Sequence, residues 1–215
     1  VSLQKQKIIF AIDRAGFVGE DGETHHGLFD VAFLNTIPDI KVYSPCCFRS
    51  LEADLNNALY ADALSVAVRY PRGAQNDNIS KLHYDCIEYA TYADMSAETA
   101  IVTYGRITSE AIDAVDFLRD NGTEVCLISL NQIKPIPAEV LQLLMNKKRI
   151  FFFEEGMRSC GIGEKLGCLL LEKGYLGSYM ITAVDDKFAP QASVSDLVAQ
   201  YKLDKDSIIN LISEK

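Results

Sequence analysis

Short apolar runs alternate with amphipathic segments along the whole chain, and this alternation is the feature that most limits the possible folds. Strands that alternate with helices in this way form mostly parallel sheets covered by helices on both faces. The pattern therefore predicts an α/β fold, a three-layer α/β/α architecture with mostly parallel sheets. The predicted strands are residues 7–12, 41–44, 64–70, 99–104, 124–130, 149–153 and 179–184.

The helical segments and one polar loop predict two domains. A loop at residues 73–80 (GAQNDNIS) interrupts the alternation, so we predict one domain over residues 1–80 and a second over residues 81–215. Residues 81–95 fit either an extended connection or an edge strand. The predicted helices are residues 26–34, 48–59, 109–119, a segment around 140–144, 162–173, 194–201 and 207–212.

Charge and composition exclude several classes of function. The net charge of −9 argues against nucleic-acid binding, which needs a positive surface. No apolar run approaches the roughly 18–20 residues of a membrane span, and no signal peptide is visible, so we expect a cytoplasmic protein. Because the chain begins without Met, Val1 can be an internal position of a longer protein. The six cysteines lack metal-ligand spacing, and we expect Cys126 and Cys168 to be reduced core residues.

Residues 13–30 hold an unusual density of titratable groups directly after a predicted buried strand. The stretch includes Asp21, Glu23, His25 and His26. A metal site is the less favoured interpretation, because adjacent histidines point in different directions and no spacing template fits. Acid–base or hydrogen-bonding work on a substrate is a second interpretation, and a solvated acidic loop is a third. Four glycines favour function, since they let backbone approach a ligand closely.

Two further groups follow predicted strands. Residues 69–73 (RYPRG) place two arginines around a proline. Guanidinium groups suit a phosphate or carboxylate, although both arginines could equally pair with acids as structural links. Residues 154–156 (EEG) follow another strand, and we expect a structural loop there. Because ligands bind beyond the carboxyl ends of parallel strands, these groups and residues 13–30 mark the edge where a site is expected.

Together, two of these motifs resemble a known enzyme family. Residues 13–30 contain DRAG, VGEDG, THHG and FD, and residues 69–73 read RYPRG. This combination is similar to the 1-deoxy-D-xylulose-5-phosphate synthases of the thiamine-diphosphate-dependent transketolase superfamily. A departure occurs at residues 46–48 (CCF), where relatives have a more polar stretch. Weaker matches occur in the expected order at residues 37–38, 44–45, 134–135, 154–155 and 188–191.

The resemblance implies a fold, a reaction and roles for four residues. It implies the latter part of a pyrimidine-binding domain followed by a complete transketolase C-terminal-like domain. The reaction is a decarboxylative condensation of pyruvate with D-glyceraldehyde 3-phosphate, which serves isoprenoid, thiamine and pyridoxal synthesis. By motif position, Arg14 and Arg72 would bind the acceptor's phosphate, and Asp21 would hydrogen-bond the acceptor or order its loop. His25 would contact the cofactor-bound intermediate and assist proton movement.

The same resemblance implies that important parts lie outside this chain. The main binding determinants of thiamine diphosphate and Mg²⁺ belong to a diphosphate-binding domain that these residues lack, so the chain alone is expected to be inactive. The family implies a homodimer. Two alternatives stay open: a β-type half of a split transketolase or 2-oxo-acid dehydrogenase, and a non-catalytic dimerisation module.

Overall fold

A computed structural model describes residues 1–84 and 86–214 as two sheets with helices packed on both faces. The four-stranded sheet has the order β1-β3-β2-β7, and the five-stranded sheet has the order β4-β6-β5-β8-β9. All pairings are parallel except those of the edge strands β7 and β4, which confirms the predicted mostly parallel α/β fold. The strands are β1 (Ile9–Ile12), β2 (Ile40–Tyr43), β3 (Ser65–Arg69), β4 (Tyr89–Tyr92), β5 (Thr99–Tyr104), β6 (Val125–Leu130), β7 (Gln132–Lys134), β8 (Arg149–Met157) and β9 (Ser178–Val184).

Seven α-helices lie among the described residues, and several begin at side-chain caps. Ser193 and Asp204 accept hydrogen bonds from the backbone N–H groups three residues later, which satisfies donors that the helix cannot pair itself. Cys47 caps its helix in the same way through Sγ. The helices are α1 (Asp30–Thr36), α2 (Phe48–Tyr60), α3 (Ile107–Asp120), α4 (Ala138–Met145), α5 (Ile162–Glu172), α6 (Val194–Gln200) and α7 (Lys205–Ser213). Within the described residues, no helix is long and apolar enough to cross a membrane.

Alternation along the central strands divides the core between the two faces of each sheet. Ile101 and Leu127 face the cluster that includes α3, α6 and α7, whereas Val102 and Ile128 face the cluster that includes α4 and α5. In the first sheet, Val66 and Val68 pack with α2, and Ala67 packs with α1. Each sheet is therefore the middle of three layers, as predicted.

A short strand from the second half of the chain completes the first sheet. β7 pairs antiparallel with β2, and Lys134 Nζ donates to the carbonyl oxygen of Leu34 at 2.7 Å. The sequence predicted only a turn here, because three residues are too few for a periodic pattern to emerge. The strand ties together the two units that a boundary after residue 80 would separate.

Three local predictions were wrong. The first strand is not buried: β1 lies at a sheet edge, and Phe10 is 37% exposed. Cys168 is exposed, because it lies on the outer face of α5, although Cys126 is buried as predicted. The helix expected over residues 26–34 begins at Asp30, since Gly27 is held in backbone pairing with Gly16.

One carboxyl group is fully buried at the junction of the two units. Asp54, on α2, accepts a 2.6 Å hydrogen bond from Asn131 Nδ2. The pKa of Asp54 is raised from 3.8 to about 8, chiefly by burial and to a smaller extent by the charges of Cys47 and Asp62, whereas the hydrogen bond from Asn131 lowers it. The folded protein therefore keeps a proton on Asp54 at neutral pH that the unfolded chain releases.

We expect the folding stability of the protein to fall as pH rises from about 4 to about 8, because of Asp54. In that window the folded state binds one more proton than the unfolded state, so raising the pH favours unfolding. Asp54→Asn removes this titration and should stabilise the protein by roughly 1–3 kcal/mol at pH 8, with little gain at pH 4. Urea unfolding across this range measures the difference. The exposed Glu52→Gln on the same helix is the control, and an equal gain there would contradict the assignment.

Candidate functional site

The loop that follows β1 is closed by backbone pairing. Gly16 and Gly27 exchange two N–H···O hydrogen bonds of 2.8 Å, and Ala15 N donates to the carbonyl oxygen of Tyr70 at 3.0 Å. A Cβ atom on Gly27 would lie 2.3 Å from the carbonyl oxygen of Arg14, so only glycine fits there. The sequence suggested that these glycines let a ligand approach the backbone closely. At Gly27, however, the group in close contact is the backbone of the chain itself.

The closed loop brings together three of the four residues predicted for the site. Asp21 Oδ2 lies 3.0 Å from Arg72 Nη1 and 3.7 Å from Arg14 Nη2. Arg14 follows β1 and Arg72 follows β3, and these strands are neighbours in the sheet. One carboxylate thus faces two guanidinium groups, so this cluster of three side chains has one more positive than negative charge.

Both arginines of this cluster remain accessible to a ligand. The side chain of Arg72 is 64% exposed and that of Arg14 is 40% exposed. Arg14 also has a φ of 59°, in the left-handed region that costs a non-glycine residue on the order of 1–3 kcal/mol. The surrounding backbone pairs hold Arg14 in this conformation. Such a pair of forked donors matches the oxygens of a phosphate group.

His25 lies on the same loop but outside this cluster. It is exposed, and its Nδ1 lies 2.9 Å from the hydroxyl oxygen of Thr24. Its backbone N–H donates to Gly22 O at 3.1 Å. Among the described residues, none of these contacts joins it to Arg14, Asp21 or Arg72. Within the described ranges, His25 is therefore accessible, and these contacts are with its own loop.

His26 has a structural role. Its buried ring accepts a hydrogen bond from Val18 N at Nδ1 (3.1 Å), and Nε2 lies 3.2 Å from the carbonyl oxygen of Pro190. These contacts require the Nε2–H tautomer, which donates to Pro190. The adjacent histidines thus point apart, and Glu23 is exposed. In the described ranges no group of three or more His, Cys, Asp or Glu residues could hold a metal ion.

The two arginines of the RYPRG motif have different roles. Arg69 is buried and donates to Asp30 through Nε at 2.8 Å and through Nη2 at 3.2 Å. It also donates to Ser44 Oγ at 3.2 Å and to the carbonyl oxygen of Gly27 at 3.1 Å. Arg69 therefore holds the loop in place through buried contacts. This is the structural role that the sequence left open for both arginines. Arg72 lies in the exposed turn, where anion binding is feasible.

Glu155 is a supporting residue that the sequence did not reveal. Residues 154–156 were predicted as a loop, but they continue β8 and both glutamates are buried. Glu155 Oε1 accepts from Phe17 N at 2.8 Å and pairs with Arg106. A Cβ atom on Gly16 would lie 2.3 Å from this carboxyl group, so the glycine makes room for it.

Glu154 performs a second structural task at the same strand end. It accepts hydrogen bonds from Ile162 N at 2.9 Å and Gly163 N at 3.0 Å, which cap the start of α5. The hydroxyl of Tyr104 donates to it at 2.6 Å. Burial raises the pKa of the Glu154 carboxyl above its usual value, against these hydrogen bonds. The adjacent acids with glycines at 161 and 163 were the only sequence signal for this cap.

Comparisons with known proteins identify the families of both parts of the chain. The family profile for the transketolase pyrimidine-binding domain matches residues 1–77, and that for the transketolase C-terminal domain matches residues 89–209. The 1-deoxy-D-xylulose-5-phosphate synthase of Clostridium beijerinckii (strain ATCC 51743 / NCIMB 8052) is 32% identical, over 99% of this chain and 34% of that protein. That of Dehalococcoides mccartyi (strain CBDB1) is 36% identical, over 97% and 33%. These matches confirm the predicted resemblance, and the chain spans about a third of these relatives.

Solved structures share the fold at lower sequence identity. A structure described as a split gene transketolase, an inactive beta4 tetramer, has a TM-score of 0.78 at 17% identity, over 100% of this chain and 68% of that chain. Transketolase from Campylobacter jejuni has a TM-score of 0.79 at 15% identity, over 100% and 32%. From the two matched profiles, which together account for most of its residues, the chain belongs to the transketolase family.

Proposed function

We propose that this chain is the pyrimidine-binding and C-terminal part of a 1-deoxy-D-xylulose-5-phosphate synthase. The complete enzyme would condense pyruvate with D-glyceraldehyde 3-phosphate, with loss of carbon dioxide, in the cytoplasm, for isoprenoid, thiamine and pyridoxal synthesis. The observation that carries the proposal is the cluster of Arg14, Asp21 and Arg72, where one carboxylate is shared by two accessible guanidinium groups.

The charges of this cluster suit a phosphorylated acceptor. In a chain of net charge −9, two arginines held by one carboxylate form a local positive site that attracts a dianion. We propose that Arg14 and Arg72 donate to the phosphate oxygens of D-glyceraldehyde 3-phosphate. Asp21 would keep the two guanidinium groups side by side before the acceptor arrives and would hydrogen-bond its hydroxyl group. The aldehyde carbon is thereby oriented for bond formation.

The cofactor of the proposed enzyme is thiamine diphosphate, which supplies the nucleophilic carbon that attacks pyruvate. Within this chain, His25 is the residue that we assign to the cofactor-bound groups. Its imidazole is exposed, and its Nδ1 lies within hydrogen-bond distance of the Thr24 hydroxyl. We propose that its Nε2 contacts the reacting groups and moves a proton at the acceptor oxygen. We propose that the Mg²⁺ and diphosphate determinants lie in the part of the enzyme outside this chain.

The exposed edge of the first sheet supports assembly with further protein. β1 is an edge strand, and Phe10 on this strand is 37% exposed. Unpaired strand edges and exposed apolar side chains favour association. We propose that a homodimer, or the remainder of the pyrimidine-binding domain, covers this surface.

A second proposal is that the chain is the β-type half of a split transketolase. The observation that favours it is coverage: the chain matches 68% of the split gene transketolase chain, against 32% of the undivided Campylobacter jejuni enzyme. Both proposals need a diphosphate-binding half, but they differ in the donor substrate. The synthase consumes pyruvate, whereas a transketolase consumes a ketose phosphate.

Product analysis separates these proposals. The complete gene product, or this chain mixed with a separately produced diphosphate-binding half, is incubated with thiamine diphosphate, Mg²⁺ and D-glyceraldehyde 3-phosphate. We expect 1-deoxy-D-xylulose 5-phosphate and carbon dioxide when pyruvate is the donor, and neither from this chain alone. In a parallel reaction with ribose 5-phosphate as the acceptor, turnover of xylulose 5-phosphate without turnover of pyruvate would support the split transketolase instead. No turnover with either donor would support a non-catalytic module.

A further inference from the structure

A cavity of about 370 Å³ adjoins the proposed acceptor site: Arg72 lines it, whereas Arg14 and Asp21 are not among its described lining residues. It opens between the start of α2, the start of α3 and the loop that follows β3. Phe48, Leu51 and Ile79 form part of its apolar wall. None of the described residues that line it is acidic, although acidic residues outnumber basic ones in this chain. The cavity therefore combines an apolar interior with guanidinium donors, each of which also pairs with one acid outside the lining.

Arg106 is the second cationic residue of this cavity. Its Nη2 donates to the carbonyl oxygen of Phe17 at 2.8 Å and pairs with Glu155, which fixes the guanidinium group in place. Glu155 does not line the cavity. Arg106 Nε is buried and has no hydrogen-bond partner among the described residues. An unpaired buried donor on a charged group is costly, and such groups in native proteins are commonly completed by a ligand or water.

Polar groups around the cavity add to its attraction for an anion. The cavity lies at the N-terminal ends of two helices of 13 and 14 residues, where the helix dipole is positive. Ser109, near the start of α3, is held by hydrogen bonds with Asn76 Nδ2 at 2.6 Å and Asn78 Oδ1 at 2.9 Å. These contacts order the rim before any ligand arrives.

We propose that this cavity binds a small phosphomonoester with an apolar body, at a site that adjoins the acceptor site and shares Arg72 with it. The phosphate would lie between Arg72 and Arg106, and the apolar part would contact Leu51 and Ile79. Because Arg72 belongs to both sites, a ligand in the cavity would draw this side chain away from Asp21 and compete with the acceptor. This inference rests on the cavity and Arg106, and it does not depend on the reaction proposed above.

Phenyl phosphate is the probe that tests the proposal, with inorganic phosphate and phenol as its two halves. Calorimetric titration of this chain should show phenyl phosphate binding at least about tenfold more tightly than either half. Arg106→Gln should weaken the binding at least about tenfold, whereas Arg14→Gln, whose side chain does not line the cavity, should change it much less than Arg106→Gln does. Phenyl phosphate should also slow alkylation of Cys47, a half-buried thiol of the cavity wall, by N-ethylmaleimide.

Thermal unfolding checks that Arg106→Gln remains folded, and Leu51→Trp, which fills the apolar part, provides a second variant. If Arg106→Gln does not fold, loss of binding in Leu51→Trp with normal binding of inorganic phosphate supports the proposal. Equal weakening by Arg14→Gln would place the ligand in the acceptor site and overturn it. Equal affinity for inorganic phosphate and phenyl phosphate, or no protection of Cys47, would also overturn it. None of these readouts uses catalytic turnover, so failure here is separable from failure of the proposed reaction.

Discussion

Replacing Arg69 with alanine is expected to lower the free energy of unfolding by about 3–5 kcal/mol. The substitution would leave the buried carboxylate of Asp30 without its partner and remove the donor to the carbonyl oxygen of Gly27. The ring of Tyr104, 5.5 Å from the guanidinium carbon, would also lose its cationic neighbour. Because Gly27 closes the loop against Gly16, the loss should loosen the site as well as the core. Guanidinium chloride unfolding measures the change.

The matched control for Arg69→Ala is a double substitution that removes both charges. Arg69→Met with Asp30→Leu replaces the ion pair with apolar groups and should recover part of the lost stability. Recovery would show that the uncompensated charge of Asp30 causes the destabilisation. A loss below about 1 kcal/mol for Arg69→Ala alone, the value typical of an exposed pair, would contradict a buried supporting role.

Replacing Arg72 with alanine is expected to change stability little and catalysis strongly. Its ion pair with Asp21 is exposed, so the free energy of unfolding should change by less than about 1 kcal/mol. In the complete enzyme, however, kcat/KM for D-glyceraldehyde 3-phosphate should fall on the order of 10²- to 10³-fold, because a charged contact to phosphate is lost. Steady-state kinetics and unfolding of the same preparation separate the two effects. A folded variant with unchanged kcat/KM would exclude Arg72 from acceptor binding.

Much of the fold was predictable because its strands are short, apolar and separated by amphipathic helices. β5 has the predicted bounds, and β6, β8 and β9 differ at their ends only. The sequence did not predict β7, because three residues are too few to show the alternation typical of a strand. β1 was mistaken for a buried strand because apolar composition does not distinguish an edge strand from a central one. Position within the sheet depends on pairings between distant segments, which local pattern does not contain.

The sequence predicted which residue types form the candidate site, but it did not show which of them bind a ligand and which support the structure. Arg69 and Arg72 are chemically identical and three residues apart, and only the tertiary structure shows that one is buried against Asp30 and the other exposed. The roles of Glu154 and Glu155 also depend on partners far along the chain, such as Phe17. The motifs therefore identified the site, whereas the supporting contacts required the fold.

The most direct test of the proposed acceptor site compares two acceptors that differ only by the phosphate group. In the complete enzyme, kcat/KM with pyruvate is measured for D-glyceraldehyde 3-phosphate and for D-glyceraldehyde, with the unsubstituted chain, Arg72→Ala and Arg14→Ala. We expect the unsubstituted enzyme to prefer the phosphorylated acceptor by on the order of 10²-fold or more, and each variant to lose most of this preference while rates with D-glyceraldehyde stay similar. If both variants retain the full preference, the phosphate is bound elsewhere, and the assignment of Arg14 and Arg72 is wrong.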